Sequence, residues 1–231
     1  MSGASFSDRL AEVQAAIGEA ERRAARPAGS VFLLPVSKGH PFAVVEMTVR
    51  AGQVALGENY LQECDGKARA LQALGLEPVR WHLLGHLQRN KVRRAAELFS
   101  VIESVDSLEL AQRLSAARTG QERLPVLCEV ELTGRPQRTG FAAQQLLAEF
   151  SQIADLQGIE VRGLMTVAAP ESPGEAFSAA RGLLEKLREL SDLPLPTLSM
   201  GMSGDFRAAI AEGSTEVRIG SRLFGERPAR G

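Results

Sequence analysis

Short apolar runs alternate along the chain with stretches in which apolar residues recur every three or four positions. The run Val31-Phe32-Leu33-Leu34-Pro35-Val36 has no polar alternation, which is typical of a strand buried on both faces of a parallel sheet. Eight such strands are predicted, at residues 31–36, 53–57, 78–85, 100–105, 124–130, 160–165, 197–199 and 216–219.

Helices are predicted between these strands and ahead of the first one. Near the N-terminus, apolar residues at helical spacing are Phe6, Leu10, Val13 and Ile17. Ser5 can cap this segment, which predicts a helix over residues 6–25. Further helices are predicted at residues 42–51, 61–74, 91–98, 108–117 and 142–155, around 183–190, and up to residue 212.

This alternation of eight strands with helices, in 231 residues, favours one fold class. An α/β protein with a closed (β/α)8 barrel of the TIM type and an extra N-terminal helix fits better than an open doubly wound sheet. No internal repeat, low-complexity linker or remaining segment indicates a second domain, so residues 1–231 are expected to form a single domain.

The composition of the chain indicates which classes of binding partner are not expected. With 27 basic and 28 acidic residues the net charge is -1, and no basic stripe is interleaved with aromatic residues, so nucleic acid is not an expected partner. No apolar segment approaches membrane-spanning length, and the first residues lack the apolar core of a signal peptide. A cytoplasmic protein without a membrane partner is therefore expected.

The sequence offers no metal site by spacing. Cys64 and Cys128 lie far apart, and in a reducing compartment each is expected to be a packed small apolar residue. His82 and His86 are four residues apart, but Gly85 and the predicted strand do not give them a common helical face. We therefore expect no metal ligands.

Lys38 lies where the first predicted strand becomes a loop, just before Gly39 and Pro41. Ligands bind at the carboxyl ends of the strands in parallel α/β sheets. A primary amine held there and partly removed from water can lose its proton near neutral pH, as Schiff-base chemistry with an aldehyde requires. Taken alone, however, the segment favours a solvated loop lysine, since lysines are mostly exposed; the rest of the chain must supply the evidence for a site.

Two loops have the composition of a phosphate site. Ser199-Met200-Gly201-Met202-Ser203 and Arg218-Ile219-Gly220-Ser221 follow the predicted strands seven and eight, after which barrels commonly bind phosphate. Ser203 and Ser221 can donate hydrogen bonds, and Gly220 allows close approach of a ligand. Each loop alone could be a stabilising helix cap, but their pairing on these strands favours a phosphate site.

Arg218 and Asn59 are further candidates near the predicted barrel mouth. A guanidinium there needs an acceptor, which could be a ring nitrogen of an aromatic cofactor or a carboxylate such as Glu58 or Glu129. Asn59 could hydrogen-bond a ligand oxygen, or it could cap the helix that begins near Tyr60.

An amine, a phosphate cradle and an arginine together describe a pocket for a phosphorylated aromatic aldehyde, and pyridoxal 5′-phosphate (PLP) fits all three. The chain also resembles the pyridoxal-phosphate homeostasis proteins, whose domain is similar to the N-terminal barrel of alanine racemase. The resemblance spans nearly the whole chain and rests on Val36-Ser37-Lys38, residues 57–63, residues 81–91, Gly163-Leu164-Met165, residues 198–203 and residues 217–225.

The resemblance implies a role for each candidate. Lys38 would carry PLP as an internal aldimine, three residues at the two loops would hold the phosphate, and Arg218 would face the pyridine nitrogen. The expected cofactor contacts are Lys38, Asn59, Ser203, Arg218, Gly220 and Ser221. An arginine at that nitrogen disfavours the protonated ring that acts as a strong electron sink.

The function expected from this resemblance is PLP binding in intracellular PLP homeostasis, by storage or by delivery to PLP-requiring apoenzymes. No catalytic residue and a monomeric state are expected. Two departures from the family pattern, Gly39-His40 after the lysine and Arg138 in place of a more usual lysine, concern the pocket rim.

Two other functions remain open at this stage. One is a PLP-dependent amino-acid racemase, although racemases with this barrel add a β-rich domain that supplies a tyrosine base, whereas this chain ends at Gly231 and its single tyrosine is Tyr60. The other is a barrel enzyme for a phosphorylated metabolite, with Lys38 as the Schiff-base nucleophile.

Overall fold

The computed structural model describes residues 5–76, 78–118, 122–135 and 138–227. Its parallel strands are β1 (Phe32–Pro35), β2 (Ala55–Glu58), β3 (Arg80–Leu83), β4 (Val101–Val105), β5 (Leu124–Glu129), β6 (Ile159–Met165), β7 (Thr197–Met202) and β8 (Glu216–Ile219). They follow the hydrogen-bonded order β1-β8-β7-β6-β5-β4-β3-β2. A parallel bridge between Val36 and Gly57 brings β1 and β2 together and closes the barrel.

Helices cover the outside of this barrel within the described ranges. They are α1 (Phe6–Arg23), α2 (Phe42–Arg50), α3 (Leu61–Ala73), α4 (Val92–Leu98), α5 (Leu108–Ala117), α6 (Ala143–Ala154), α7 (Pro173–Ser191), α8 (Phe206–Ala211) and α9 (Ser221–Phe224). A 3-10 turn, Arg89–Lys91, precedes α4. The predicted (β/α)8 barrel with an additional helix before β1 is confirmed. Among the helices described, none has the length and apolarity needed to cross a membrane.

The additional helix α1 is fixed at its start and along one face. The Ser5 backbone N–H donates to Asp8 Oδ2 at 2.9 Å, and the Asp8 N–H donates to Ser5 Oγ at 3.2 Å, which forms a capping box. Its buried apolar face, including Leu10, belongs to the same cluster as Phe206 of α8 and Leu223 of α9. Helix α1 therefore supports the two short helices that follow the predicted phosphate loops.

Strand seven is longer than its sequence pattern predicts. The prediction ended it at residue 199, but β7 continues to Met202, with a register irregularity opposite β8 between Ser199 and Met202. Gly201 makes this possible, because it has φ +94° and an added Cβ would lie 2.6 Å from the Cβ of Ala209. A glycine between two methionines is typical of a loop, whereas here it lets an irregular strand pass close to α8.

We predict that Gly163→Ala destabilises the barrel strongly. Gly163 in β6 has φ +146°, and an added Cβ would lie 1.8 Å from the Thr197 carbonyl oxygen of β7. The Thr197 carbonyl belongs to the backbone and cannot turn aside as a side chain could, so the two strands must separate. We expect the free energy of unfolding to fall by about 3 kcal/mol or more. Thermal unfolding should show this as a lower Tm by about 6–12 °C.

Gly182→Ala is the matched control. An added Cβ at Gly182, inside α7, meets no atom within 4 Å, so alanine should raise stability by up to ~1 kcal/mol. Equal Tm values for the two variants would contradict the close approach of β6 and β7.

Candidate functional site

The barrel opens at the carboxyl ends of its strands into a cavity of about 410 Å³. All the cofactor contacts expected from the sequence line this cavity, namely Lys38, Asn59, Ser203, Arg218, Gly220 and Ser221. They come from the ends of β1, β2, β7 and β8, which are far apart in the chain. The structure therefore brings the six candidates together, as the strand-end argument predicts.

Lys38 is partly buried at this mouth and has cationic neighbours. Burial lowers the pKa of its amine, and the positive charges of Arg227 and Arg218 lower it further, while Glu58 acts in the opposite direction. A larger share of the amine is therefore neutral at a given pH than in a free lysine, and the neutral form is the nucleophile.

A second lysine, Lys67, holds the loop that carries Lys38. Its Nζ donates to the Ser37 carbonyl at 2.8 Å, and to Oε1 of both Glu58 and Glu63 at 2.6 Å. The Gly39 N–H donates to the same Glu63 oxygen at 2.7 Å. The residues on both sides of Lys38 are thus tied to β2 and α3, so the lysine projects from a fixed backbone.

The loops after β7 and β8 form one wall of the cavity. The Arg222 N–H lies 3.5 Å from Ser203 Oγ, and Arg222 Nε donates to the Ser203 carbonyl at 2.6 Å, so the two loops are joined. Within the described part of the chain, the backbone N–H groups of Ser203 and Gly204 find no acceptor. This wall presents donors without bulky side chains, as an anion requires.

Arg218 is only 5% exposed and is held by two acceptors. Its Nη1 donates to Ser199 Oγ at 2.6 Å and its Nη2 to the Thr166 carbonyl at 2.7 Å. The carboxylates that the sequence suggested as partners are engaged elsewhere: Glu58 by Lys67, and Glu129 by the Thr139 hydroxyl at 3.2 Å. The direct acceptors of the guanidinium are a hydroxyl and a backbone carbonyl.

Asn59 has an unsatisfied amide. Its Oδ1 is buried and has no hydrogen-bond partner among the described residues. The N-cap of α3 is Tyr60, without a side-chain capping bond, so the alternative role of Asn59 as a helix cap is wrong. A polar ligand in the cavity would remove the cost of this unpaired group.

Below Arg218 lies a buried polar cluster that the sequence analysis missed. It consists of His82, Glu103, Ser199 and Glu216, all at most 7% exposed. The signal that could have found it is a glutamate in each of two predicted barrel strands: Glu103 within residues 100–105, and Glu216 at the start of residues 216–219. Donor atoms of His82, Glu103 and Glu216 lie within 4.8 Å of one another, so the expectation of no metal site stays untested.

The rim of the cavity contains the two departures from the family pattern. His40 lines the cavity, and its ring lies 5.4 Å from that of Phe224 in α9. Arg138 acts on the rim indirectly: its Nη1 donates to the Val167 carbonyl at 2.6 Å, and Val167 lines the cavity.

Comparison with known proteins gives consistent results across sequence and structure. The family described as the alanine racemase N-terminal domain matches residues 10–228. A pyridoxal phosphate homeostasis protein of Pseudomonas aeruginosa is 43% identical over 223 residues, covering 96% of each chain. The protein of that name from Escherichia coli K12 is 38% identical over 226 residues, covering 96% of this chain and 97% of the relative.

Two solved structures resemble this chain to different degrees in fold and in sequence. PipY of Synechococcus elongatus, determined with PLP bound, has a TM-score of 0.83 and 37% identity, over 96% of this chain and 100% of its own. Alanine racemase of Clostridium difficile has a TM-score of 0.70 but 15% identity, over 91% of this chain and 59% of its own, so it shares the fold alone. The chain thus belongs to the pyridoxal phosphate homeostasis protein family, built on the barrel of the alanine racemase N-terminal domain.

Proposed function

We propose that this chain binds PLP through Lys38 and acts in intracellular PLP homeostasis, as a store or a donor of the cofactor and without a turnover of its own. The observation that carries the proposal is the meeting of the six expected contact residues in one cavity at the barrel mouth. The relatives that are named homeostasis proteins, and PipY with its bound PLP, support it.

The cavity residues fit this cofactor chemically. PLP, when bound, supplies an aldehyde that reacts with an amine, and the lowered pKa of Lys38 suits that amine. The unpaired backbone N–H groups of Ser203 and Gly204 suit a phosphate. The buried Oδ1 of Asn59 suits a polar substituent on the cofactor.

The presence of Arg218 favours a protein that holds the cofactor over one that uses it in catalysis. A guanidinium is always charged and only donates hydrogen bonds, so a ring nitrogen that it contacts accepts and stays unprotonated. An unprotonated ring is a weak electron sink for the carbanion chemistry of racemases and transaminases. The role of Lys38 is therefore to retain the cofactor and release it, with PLP-requiring apoenzymes as the proposed recipients.

The proposal also includes a monomer. The six residues expected to contact the cofactor all line the cavity of one chain, which supports a site that needs no partner subunit.

We expect Lys38→Ala to abolish covalent retention of PLP while the fold is kept, because Lys38 lies in a loop and not in the packed core. The measurement is the visible absorbance band of the PLP-loaded protein, followed by borohydride reduction and peptide mapping. Lys186→Ala, at an exposed position of α7, is the control and should keep both the absorbance band and the borohydride-trapped PLP. Trapping at full stoichiometry in Lys38→Ala would exclude Lys38 as the attachment site.

Ser203→Ala and Ser221→Ala should each weaken PLP binding. Each removes one hydroxyl donor to an anion, worth roughly 1.5 to 3 kcal/mol, or about tenfold to a hundredfold in Kd. The double variant should lose more than either single variant. Titration of the apoprotein with PLP measures this, with Ser178→Ala on the exposed face of α7 as control; an unchanged Kd in the double variant would place the phosphate elsewhere.

The protein should show no racemase or transaminase turnover above the slow reactions of free PLP with amino acids. The reason is the unprotonated ring nitrogen that Arg218 favours. Assays on proteinogenic amino acids, by chiral chromatography, should give rates far below the roughly 1 s⁻¹ or more of dedicated enzymes. A rate in that range, lost in Lys38→Ala, would establish the racemase alternative.

A further inference from the structure

Arg218 is connected to the buried cluster beneath the cavity through a single hydroxyl. Ser199 Oγ accepts from Arg218 Nη1 at 2.6 Å. The same oxygen lies 2.6 Å from Glu103 Oε2 and 2.9 Å from Glu216 Oε1. Glu103 Oε1 lies 2.7 Å from His82 Nδ1. Burial shields these contacts from water, so every group must find its partner inside the barrel.

Counting hydrogens at Ser199 fixes the charge of the two carboxyl groups. A hydroxyl has one hydrogen to donate and two lone pairs with which to accept. Since the guanidinium of Arg218 only donates, Ser199 can donate to one carboxyl group and must accept from the other. The three contacts of Ser199 are satisfied only when either Glu103 or Glu216 carries a proton.

Glu216 is the protonated member. Both oxygens of Glu103 face polar partners, His82 Nδ1 and the shorter of the two Ser199 contacts. Burial opposes the charge of Glu103, but the hydrogen bond and charge of His82, with the charge of Arg218, lower its pKa. Burial and the charge of Glu103 raise the pKa of Glu216 well above its usual value. Glu103 thus supplies the charge that opposes Arg218.

We infer that Glu103 and Ser199 are positioning residues that hold Arg218 at the wall of the cofactor cavity, and that Glu216 stores the proton of the cluster. The inference rests on the proposed function, since it concerns what Arg218 presents to PLP. Nη1 is bound to Ser199 and Nη2 to the Thr166 carbonyl. The guanidinium therefore cannot turn without breaking a buried hydrogen bond, and Glu103 opposes its charge from behind.

The test compares two substitutions of nearly equal shape, Glu103→Gln and Glu216→Gln, in the PLP-loaded protein. Glu103→Gln replaces two acceptor oxygens with one and an amide nitrogen, so the contact with Ser199 or with His82 is weakened and Arg218 is held less firmly. We expect PLP to bind about tenfold or more weakly and its visible absorbance maximum to shift. Glu216→Gln should lose much less PLP affinity, because glutamine resembles the neutral carboxylic acid that Glu216 is inferred to be. Glu185→Gln, on an exposed position of α7, controls for the substitution itself.

Two further variants keep the inference testable. Glu103→Asp keeps the charge and should restore the wild-type absorbance maximum, which a purely structural role of Glu103 does not require. Ser199→Ala removes the link without changing the charge and should shift the spectrum in the same direction as Glu103→Gln. If circular dichroism shows that Glu103→Gln is unfolded, the spectrum of Ser199→Ala decides.

The outcomes separate this inference from the proposed function. Failure of the wild-type protein to trap PLP on Lys38 would overturn the proposed function and the inference with it. Normal trapping in the wild type, with wild-type spectra and affinities in Glu103→Gln and Ser199→Ala, would overturn only the positioning role. A larger loss of PLP affinity in Glu216→Gln than in Glu103→Gln would overturn the assignment of the proton to Glu216.

Discussion

Burying the Arg218 guanidinium inside the barrel removes its water, and this side chain cannot shed its proton in response. The surrounding strands must therefore supply acceptors, and they do so with the Ser199 hydroxyl of β7 and the Thr166 carbonyl after β6. Because Ser199 can take part in only a few hydrogen bonds, its contact with Arg218 determines how it shares a proton with the two carboxyl groups below. The cavity wall, the strand ends and the barrel interior are thus linked through one buried cation.

The two lysines near the mouth have different surroundings, which suit one to a structural role and the other to reaction with an aldehyde. Lys67 is surrounded by three acceptors, two of them glutamates, and it fixes the loop after β1. Lys38 faces the cations Arg218 and Arg227, and burial and these charges lower its pKa. A lysine can respond to such surroundings by losing its proton, which an arginine cannot do. The loop and the cavity wall together therefore make Lys38, and not Lys67, the candidate nucleophile.

The sequence was enough for the fold and for the six candidates at the mouth, because both follow from local signals. Continuous apolar runs mark buried strands, and residues just after such runs lie at the carboxyl edge of a parallel sheet. The partners of Arg218 could not be found in this way. Which side chains meet inside a barrel depends on strand register, and the register of β7 against β8 is irregular between Ser199 and Met202. Glu58, the partner suggested by position, is held instead by Lys67.

In the proposed function, one electrostatic arrangement accounts for both retention and lack of turnover. The positive charges of Arg227 and Arg218 favour an anionic phosphate in the cavity. Burial, with these charges in addition, lowers the pKa of the Lys38 amine that must attack the aldehyde. The same positive charge disfavours a proton on the ring nitrogen, and that proton is what makes the cofactor an effective electron sink. Glu103 and Ser199 are buried on the interior side and hold Arg218 there through hydrogen bonds, so the position of this charge is set by the fold. A site that binds the cofactor well in this way is, for the same physical reason, a poor site for carbanion chemistry.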